Sequence, residues 1–169
     1  MTVWLTLLGY QAVWFAAVIG AGHGLWWPGV IAAVLFALWR LWVSSHRLLE
    51  ARLALLGVGL GLVLETLWVR TGLLDYAAAP AHGVPLWILT LWLAFSLCVV
   101  PLLGYLHRRL LLAAVLGAIG GPLAYLGAAR GWHVVEFAQP HWQSLLALAA
   151  GWAVAMPLLA WRARRGLQP

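Results

Sequence analysis

Glu65 is the one carboxylate of this chain that falls inside a long apolar run. A charged side chain at the centre of a bilayer costs about 2.5–3.5 kcal/mol even on the mildest insertion scale, so such a residue is a functional candidate. A buried carboxylate can anchor a ligand or transfer a proton. It can also stay protonated or hydrogen-bonded and hold neighbouring helices together. The sequence leaves both the functional and the structural interpretation open.

Aromatic and polar side chains on the neighbouring apolar runs reach a similar depth. Counting from the basic ends of the runs places Trp92, and Ala124 or Tyr125, at about the level of Glu65. Gln11 is the second polar side chain expected to be buried in the membrane, and it precedes Trp14 by three residues on the same helix face. The ligand-binding candidates are Glu65, Gln11, Trp14, Trp68, Thr90, Trp92 and Tyr125.

No signature of catalysis accompanies these candidates. The sequence shows no nucleophile paired with a base and no cofactor fingerprint. His133, Glu136 and His141 share one segment, but their spacing matches no tight zinc motif. These residues, with His23 and His82, are expected to cap helix ends, and the alternative is a loop that folds over an outer pocket. We predict no metal and no cofactor; catalytic residues are unknown, and the sequence leans against an enzyme without deciding the question.

The segment LGAIGGPLAYLGAARG, residues 116–131, raises the question of a phosphate-binding glycine loop. Such a loop needs a preceding strand and usually a lysine, serine or threonine for the phosphate, and none is present here. Gly117 and Gly121 are four residues apart, so they lie on one face of a helix. A helix face that carries only small residues, which we call a smooth face, lets two helix backbones approach closely in lipid. Pro122 follows, and a proline inside a helix removes one backbone hydrogen bond. We predict a packing face with a kink or a local opening near Ala118.

Two other apolar runs carry small residues at the same spacing. Gly57 and Gly61 precede Glu65 in steps of four, so the carboxylate is expected on the smooth face of its helix. Ala12, Ala16 and Gly20 form a third stripe. The helix-packing candidates are Gly57, Gly61, Gly117, Gly121, Pro122, Ala12 and Ala16.

The elements that must position these residues are membrane-spanning helices. Apolar residues fill 65% of the 169 positions and charged residues 8%, a balance typical of integral membrane proteins. A helix needs roughly 20 residues to cross a hydrocarbon layer of about 30 Å, so the chain has room for about six crossings. We predict an all-α membrane protein with a single transmembrane domain over 1–169. Its six helices form one bundle, at about 3–21, 25–43, 51–70, 85–106, 109–129 and 141–161.

The distribution of arginine predicts the orientation of the bundle. Of the ten basic residues, eight fall at one end of the spans and two, Arg70 and Arg130, at the other. The positive-inside rule places the arginine-rich end and both termini in the cytoplasm. Arginines clustered at the ends of apolar runs report orientation, so we expect no nucleic-acid partner. The predicted contacts to anionic lipid headgroups are Arg47, Arg52, Arg108, Arg109, Arg162, Arg164 and Arg165.

Five stretches together resemble a bacterial family of small inner-membrane proteins catalogued as domain of unknown function 2878. They are GYQAVWFAAVIGAG, GLVLETLWVRTGLL, VPLWILTLWLAF, LGAIGGPLAYLGAARG and GWAVAMPLLAW, spread over nearly the whole chain. The resemblance implies a location in the bacterial inner membrane and gene neighbours that modify lipids. It also implies an aspartate where Glu65 stands, a conservative departure that keeps the carboxylate. It carries no established activity.

Three functions from different classes are open. The first is a protein that binds, or helps to modify, a lipid or other amphiphile in a pocket near Glu65 in the outer half of the membrane, with membrane lipids as partners. The second is a substrate-binding subunit of a transporter with a membrane-protein partner, because the span number, the cytoplasmic termini and the first-helix stripe resemble energy-coupling-factor vitamin transporters. The third is a non-catalytic membrane scaffold in which Glu65 only joins helices.

Overall fold

Six α-helices dominate the computed structural model, which describes residues 2–80 and 83–168. They are α1 (Thr2–Gly22), α2 (Trp27–Val43), α3 (Arg47–Arg70), α4 (Leu86–Leu102), α5 (Leu110–Trp132) and α6 (His141–Leu167). Two three-residue strands, β1 (Leu74–Tyr76) and β2 (Val135–Phe137), lie in the loops that follow α3 and α5. The predicted all-α class is confirmed.

The helices occupy the predicted apolar runs in order. Four of them, α1, α3, α5 and α6, are long and apolar enough to cross a membrane by length and composition. The other two, α2 and α4, are apolar but only 17 residues long. A helix in lipid satisfies its own backbone hydrogen bonds, which is why runs of this composition become helical.

Helix ends differ from the predicted spans by four or more residues in three places. α3 begins at Arg47 and α6 continues to Leu167, because arginine is a good helix former and the helix need not stop where the apolar run stops. α4 ends at Leu102, four residues before its predicted end at 106. Pro101 lies in its last turn, and Gly104–Leu106 form a separate 3₁₀ turn.

The helices pair along the bundle in a fixed order. α5 lies along α6, α3 lies along α4, and α1 packs against both α2 and α4. α3 also contacts α6, and this contact joins the group formed by α1, α2, α3 and α4 to the pair formed by α5 and α6. The largest cluster of buried apolar side chains includes Trp87, Tyr125 and Leu148, next to the two strands. The core is therefore most aromatic near the end of the bundle that carries these strands.

The two strands join loops that are about 60 residues apart in sequence. β1 and β2 pair antiparallel, with Leu74 opposite Phe137 and Tyr76 opposite Val135. Two further backbone bonds extend the pairing, from Ala77 N to Val134 O at 3.0 Å and from Ala138 N to Leu73 O at 3.0 Å. The sequence predicted no strand here, because each three-residue run is too short to show a pattern without its distant partner.

The glycines of α3 and α5 lie at close contacts between helices. A Cβ at Gly57 would overlap the Ser96 hydroxyl, and a Cβ at Gly61 would come within 2.6 Å of Cδ1 of Trp92. Gly121 of α5 lies against the indole of Trp152 in the same way. These positions admit large side chains from the neighbouring helix because they have none of their own. Gly117, one turn before Gly121, lies against the backbone of Trp152.

Of the predicted stripe on α1, only Gly20 is buried. Ala12 is exposed and Ala16 is half-buried, whereas Val13 and Ala17 are fully buried. A Cβ at Gly29 of α2 would come within 2.7 Å of the Ala17 Cβ, so α2 packs tightly against α1 at this residue. The buried face of α1 is therefore rotated by one residue relative to the prediction.

α5 stays helical through Pro122. The local backbone opening predicted near Ala118 does not occur in this helix. Proline removes one hydrogen bond, but the turns on either side keep theirs, and α6 covers the same stretch where it packs against Gly121.

Candidate functional site

Glu65 lies at the centre of a fully enclosed polar site. Its side chain is 0% exposed, on the face of α3 that also carries Gly57 and Gly61. Gly61 is one turn before the carboxylate, and the absence of a side chain there lets the indole of Trp92 reach it from α4. Because Gly61 lies four residues before Glu65 on the same face of α3, it leaves room for the Trp92 indole to donate a hydrogen bond to the carboxylate.

Three neutral donors hold the two carboxylate oxygens of Glu65. Trp92 Nε1 donates to Oε1 at 2.9 Å. The Tyr125 hydroxyl, from α5, also donates to Oε1, and the Tyr76 hydroxyl, from β1, donates to Oε2. The carboxylate therefore joins three helices and a strand. Buried polar groups are normally satisfied in this way.

Tyr76 is the member of this site that the sequence analysis did not select. In β1 the burial alternates, with Leu74 and Tyr76 buried and Asp75 exposed. Trp87 packs edge-on against the Tyr76 ring at 5.8 Å, and its Nε1 donates to the Ala77 carbonyl at 2.9 Å. Alternating burial in the stretch LDY is the signal that could have identified Tyr76, but it is meaningful only once β2 is known to pair with it.

Burial keeps Tyr76 in its neutral form. Desolvation, with the nearby Tyr125 and Glu65 as further causes, raises the pKa of Tyr76 well above its ordinary value. The phenol therefore stays protonated at physiological pH. It acts toward Glu65 as a hydrogen-bond donor.

The other ligand-binding candidates lie around this site in different ways. Trp68 is buried and meets the Tyr125 ring edge-on at 6.1 Å. The Thr90 hydroxyl donates to the Trp87 carbonyl at 2.6 Å, so it is engaged within its own helix. Trp14 is half-buried and packs edge-on against Trp132 at 5.5 Å.

Gln11 is exposed, contrary to the expectation that it is buried. Val13 and Ala17 turn toward α2 and α4, and this rotation of α1 leaves Gln11 and Ala12 on the outside of the bundle. No hydrogen bond to the Gln11 side chain is seen within residues 2–80 and 83–168. Gln11 does not contact Glu65.

A cavity of about 190 Å³ lies beside the carboxylate site, and we call it the aromatic cavity. Trp92 and Tyr125, the two donors that share Oε1 of Glu65, contribute to its wall. Trp152 from α6 stacks on Trp92 with ring centroids 4.3 Å apart and completes that side. Tyr10 and Trp14 line the cavity from α1.

The aromatic cavity reaches the side of the bundle along α5. Three of its lining residues, Leu116, Gly120 and Ala124, are exposed and follow one another every four positions. No other heavy atom lies within 4 Å of the place where a Gly120 Cβ would be. The cavity therefore opens laterally, at a level of the helix that is apolar on its outer face.

The arginine-rich end contains one buried ion pair. Arg40 is 5% exposed and Glu50 is 0% exposed, and Nη2 of Arg40 donates to Oε1 of Glu50 at 2.5 Å. The Ser44 hydroxyl donates to the same oxygen at 2.8 Å. The second Glu50 oxygen and Nε of Arg40 have no partner in the part of the chain that the structure describes. The sequence analysis did not select this pair, because Glu50 stands at the charged edge of an apolar run.

The predicted headgroup arginines fall into separate groups. Arg47, Arg52 and Arg162 line one pocket, described below. Arg108 and Arg109 are exposed at the turn between α4 and α5. Arg164 is exposed, and the guanidinium of Arg165 lies 4.6 Å from the ring centroid of Trp161.

The histidines of the strand-bearing end form no visible metal centre. Within residues 2–80 and 83–168, no group of three or more His, Cys, Asp or Glu side chains is placed to hold a metal ion. His133 ends α5 in the left-handed conformation with φ of 53°. His82 lies outside the described residues.

Comparison with known proteins identifies a family. A family described as "Protein of unknown function (DUF2878)" matches residues 3–158. This range includes Glu65 and all three of its donors. No curated protein and no solved structure matches the chain.

Proposed function

We propose that this chain, which belongs to the family described as "Protein of unknown function (DUF2878)", binds the apolar part of a lipid or other amphiphile in the aromatic cavity. The observation that carries the proposal is the lateral opening along Leu116, Gly120 and Ala124. In a membrane protein, an opening on the apolar side of the bundle admits molecules that are already dissolved in the bilayer. A water-soluble ligand would need an opening at one end.

The size of the aromatic cavity favours a small apolar group. An apolar cavity of about 150 Å³ holds a benzene molecule, so about 190 Å³ takes a ring or a short stretch of an acyl or isoprenoid chain. The remainder of such a molecule stays in the bilayer outside the opening. The aromatic walls suit this occupant, because ligand sites are lined mainly by apolar and aromatic side chains.

Glu65 has an indirect role in this proposal. Both of its oxygens already accept hydrogen bonds, and two of the donors, Trp92 and Tyr125, are the residues that face the cavity. The carboxylate therefore orients the cavity wall rather than touching the ligand. It is a positioning residue, which revises the hypothesis of a direct ligand anchor.

The proposal includes an orientation in the bacterial inner membrane. The arginine asymmetry supports both termini in the cytoplasm and the paired strands on the outer side. Glu65 is five residues before Arg70, the end of α3, and a helix rises about 1.5 Å per residue. The carboxylate and the aromatic cavity then lie in the outer half of the membrane.

Filling the cavity mouth is expected to weaken ligand binding. A leucine at Gly120 places an isobutyl group in the opening, and changes of this size in an apolar pocket alter affinity by about tenfold or more. The probe is a fatty acid with a photoreactive diazirine on its chain, applied to the purified full chain in neutral detergent. Mass spectrometry of the labelled peptides then measures the labelling of cavity residues.

Gly59→Leu is the matched control for this experiment. Gly59 is also an exposed helical glycine with open space around its Cβ position, but it lies on α3 away from the cavity. We expect the Gly59→Leu variant to be labelled as the unmodified chain is, and the Gly120→Leu variant to lose the labelling. Equal labelling of both variants, or labelling confined to residues outside the cavity, would count against the proposal.

The position of Gln11 supports a second candidate function, a subunit that docks on a membrane partner. Gln11 is near the middle of α1, exposed and without a hydrogen bond among the described residues. An amide facing hydrocarbon without a partner is costly, so a polar group from another transmembrane helix would stabilise it. This is the docking expected of a transporter's substrate-binding subunit.

Site-specific photocrosslinking in native membranes tests the second candidate. A crosslinker placed at Gln11 is expected to give a discrete adduct with one other protein chain. The same crosslinker at Leu55, an exposed residue of α3, should give lipid adducts alone. Lipid adducts at both positions would remove the support for a partner.

A further inference from the structure

The structure brings three of the arginines into one concave pocket, which we call the basic pocket. It has a volume of about 370 Å³ and lies between the first turns of α3 and the last turns of α6. Arg47 and Arg52 contribute from α3, Arg162 contributes from α6, and His46 lies beside them. Arg162 is half-buried, whereas the other two arginines are exposed.

Within residues 2–80 and 83–168, no carboxylate lines the basic pocket. Glu50, the acidic residue closest in sequence, is buried against Arg40. That ion pair is the salt bridge found among residues 2–80 and 83–168. Three guanidinium groups that share a concave surface repel one another, and an anion bound between them would relieve that repulsion.

The backbone at the edge of the basic pocket also favours a negatively charged ligand. His46 precedes the 24-residue helix α3, and no side chain caps the first turn. The first N–H groups of a helix lack partners within it, and the helix dipole adds a partial positive charge there. Arg47 and Leu48 belong to that turn and line the basic pocket.

We propose that the basic pocket binds a phosphate group. Arginine is the side chain best suited to this ligand, because its planar guanidinium donates two parallel hydrogen bonds to phosphate oxygens. The phosphate can belong to an anionic phospholipid headgroup or be free in solution, and the site recognises the chemistry that the two share. This site lies at the opposite end of the bundle from the paired strands and does not depend on the proposed function of the aromatic cavity.

Isothermal titration of the purified full chain in neutral detergent tests the basic pocket. One arm uses dihexanoyl phosphatidic acid and the other uses inorganic phosphate. Dihexanoylglycerol, which has the same acyl chains but no phosphate, controls for binding through these chains, since they could enter the aromatic cavity. Binding of phosphatidic acid alone identifies a headgroup site, whereas binding of inorganic phosphate identifies a site for free phosphate; either supports the proposal.

A pair of double variants locates the binding. Arg52→Gln with Arg162→Gln removes two charges from the basic pocket and is expected to weaken phosphate binding by about tenfold or more, since hydrogen bonds between charged groups are stronger than those between neutral groups. Arg108→Gln with Arg109→Gln removes two charges from the same end but outside the pocket. It is expected to leave binding nearly unchanged. Equal weakening by both double variants, or no binding of either phosphate probe, would overturn the proposal.

Discussion

Replacing Glu65 with leucine is expected to lower the free energy of unfolding by about 3–5 kcal/mol, because each buried donor left without an acceptor costs about 1–3 kcal/mol. The hydroxyls of Tyr76 and Tyr125 and the Nε1 of Trp92 would all lose their acceptor at once. The Glu65 side chain is completely buried, so the three donors would be left without this acceptor in an enclosed part of the protein. Unfolding by titration with sodium dodecyl sulfate, followed by tryptophan fluorescence, measures the change.

Two further variants separate hydrogen bonding from packing at this site. Glu65→Gln keeps one oxygen acceptor and the shape of the side chain, so it is expected to cost less than the leucine variant. Adding Tyr125→Phe to Glu65→Leu removes a stranded hydroxyl and is expected to recover part of the loss, since removing both partners of a buried hydrogen bond can be nearly neutral. If the leucine variant were as stable as the unmodified chain, the carboxylate would not be what joins α3, α4, α5 and β1.

Replacing Glu50 with leucine is the second change with a large expected effect. It leaves Arg40 buried without its counter-charge, and breaking a buried ion pair in this way costs about 3–5 kcal/mol. The cost in stability comes from keeping the Arg40 guanidinium buried without a counter-charge, not from the loss of its attraction to Glu50. The same unfolding titration measures it.

The double variant Arg40→Met with Glu50→Leu gives the informative comparison. Removing both charges is expected to restore most of the stability, because an apolar pair of similar volume has no desolvation cost. Arg108→Met serves as the surface control and is expected to change stability by less than about 0.5 kcal/mol. Full additivity of the two single substitutions at positions 40 and 50 would contradict a direct pair.

Helix positions were predictable because they depend on local patterns. The apolar runs alone predicted all six helices in order, with errors confined to the ends, where arginines extend α3 and α6 and Pro101 shortens α4. The spacing of Gly57, Gly61 and Glu65 also placed the carboxylate on the smooth face of α3. Each of these predictions uses only the geometry of one helix.

Rotations of helices about their axes were harder to predict. The small residues of α1 suggested a face through Ala12 and Ala16, but the buried face passes through Val13 and Ala17. The contact between Ala17 and Gly29 of α2 determines which face of α1 is buried. The sequence of α1 alone carries no information about that contact. The exposure of Gln11 follows from the same rotation.

The sequence by itself determined that this is an apolar helical protein with a membrane-protein composition, with a single carboxylate in the interior of a span and arginines gathered at one end. Only the tertiary structure brought Tyr76 to Glu65, opened the aromatic cavity beside α5, and separated Arg47, Arg52 and Arg162 from the other arginines. Composition and helix periodicity are local properties, and they can be read along the chain. The site depends on which faces of distant helices meet, and that is decided by packing between residues far apart in sequence.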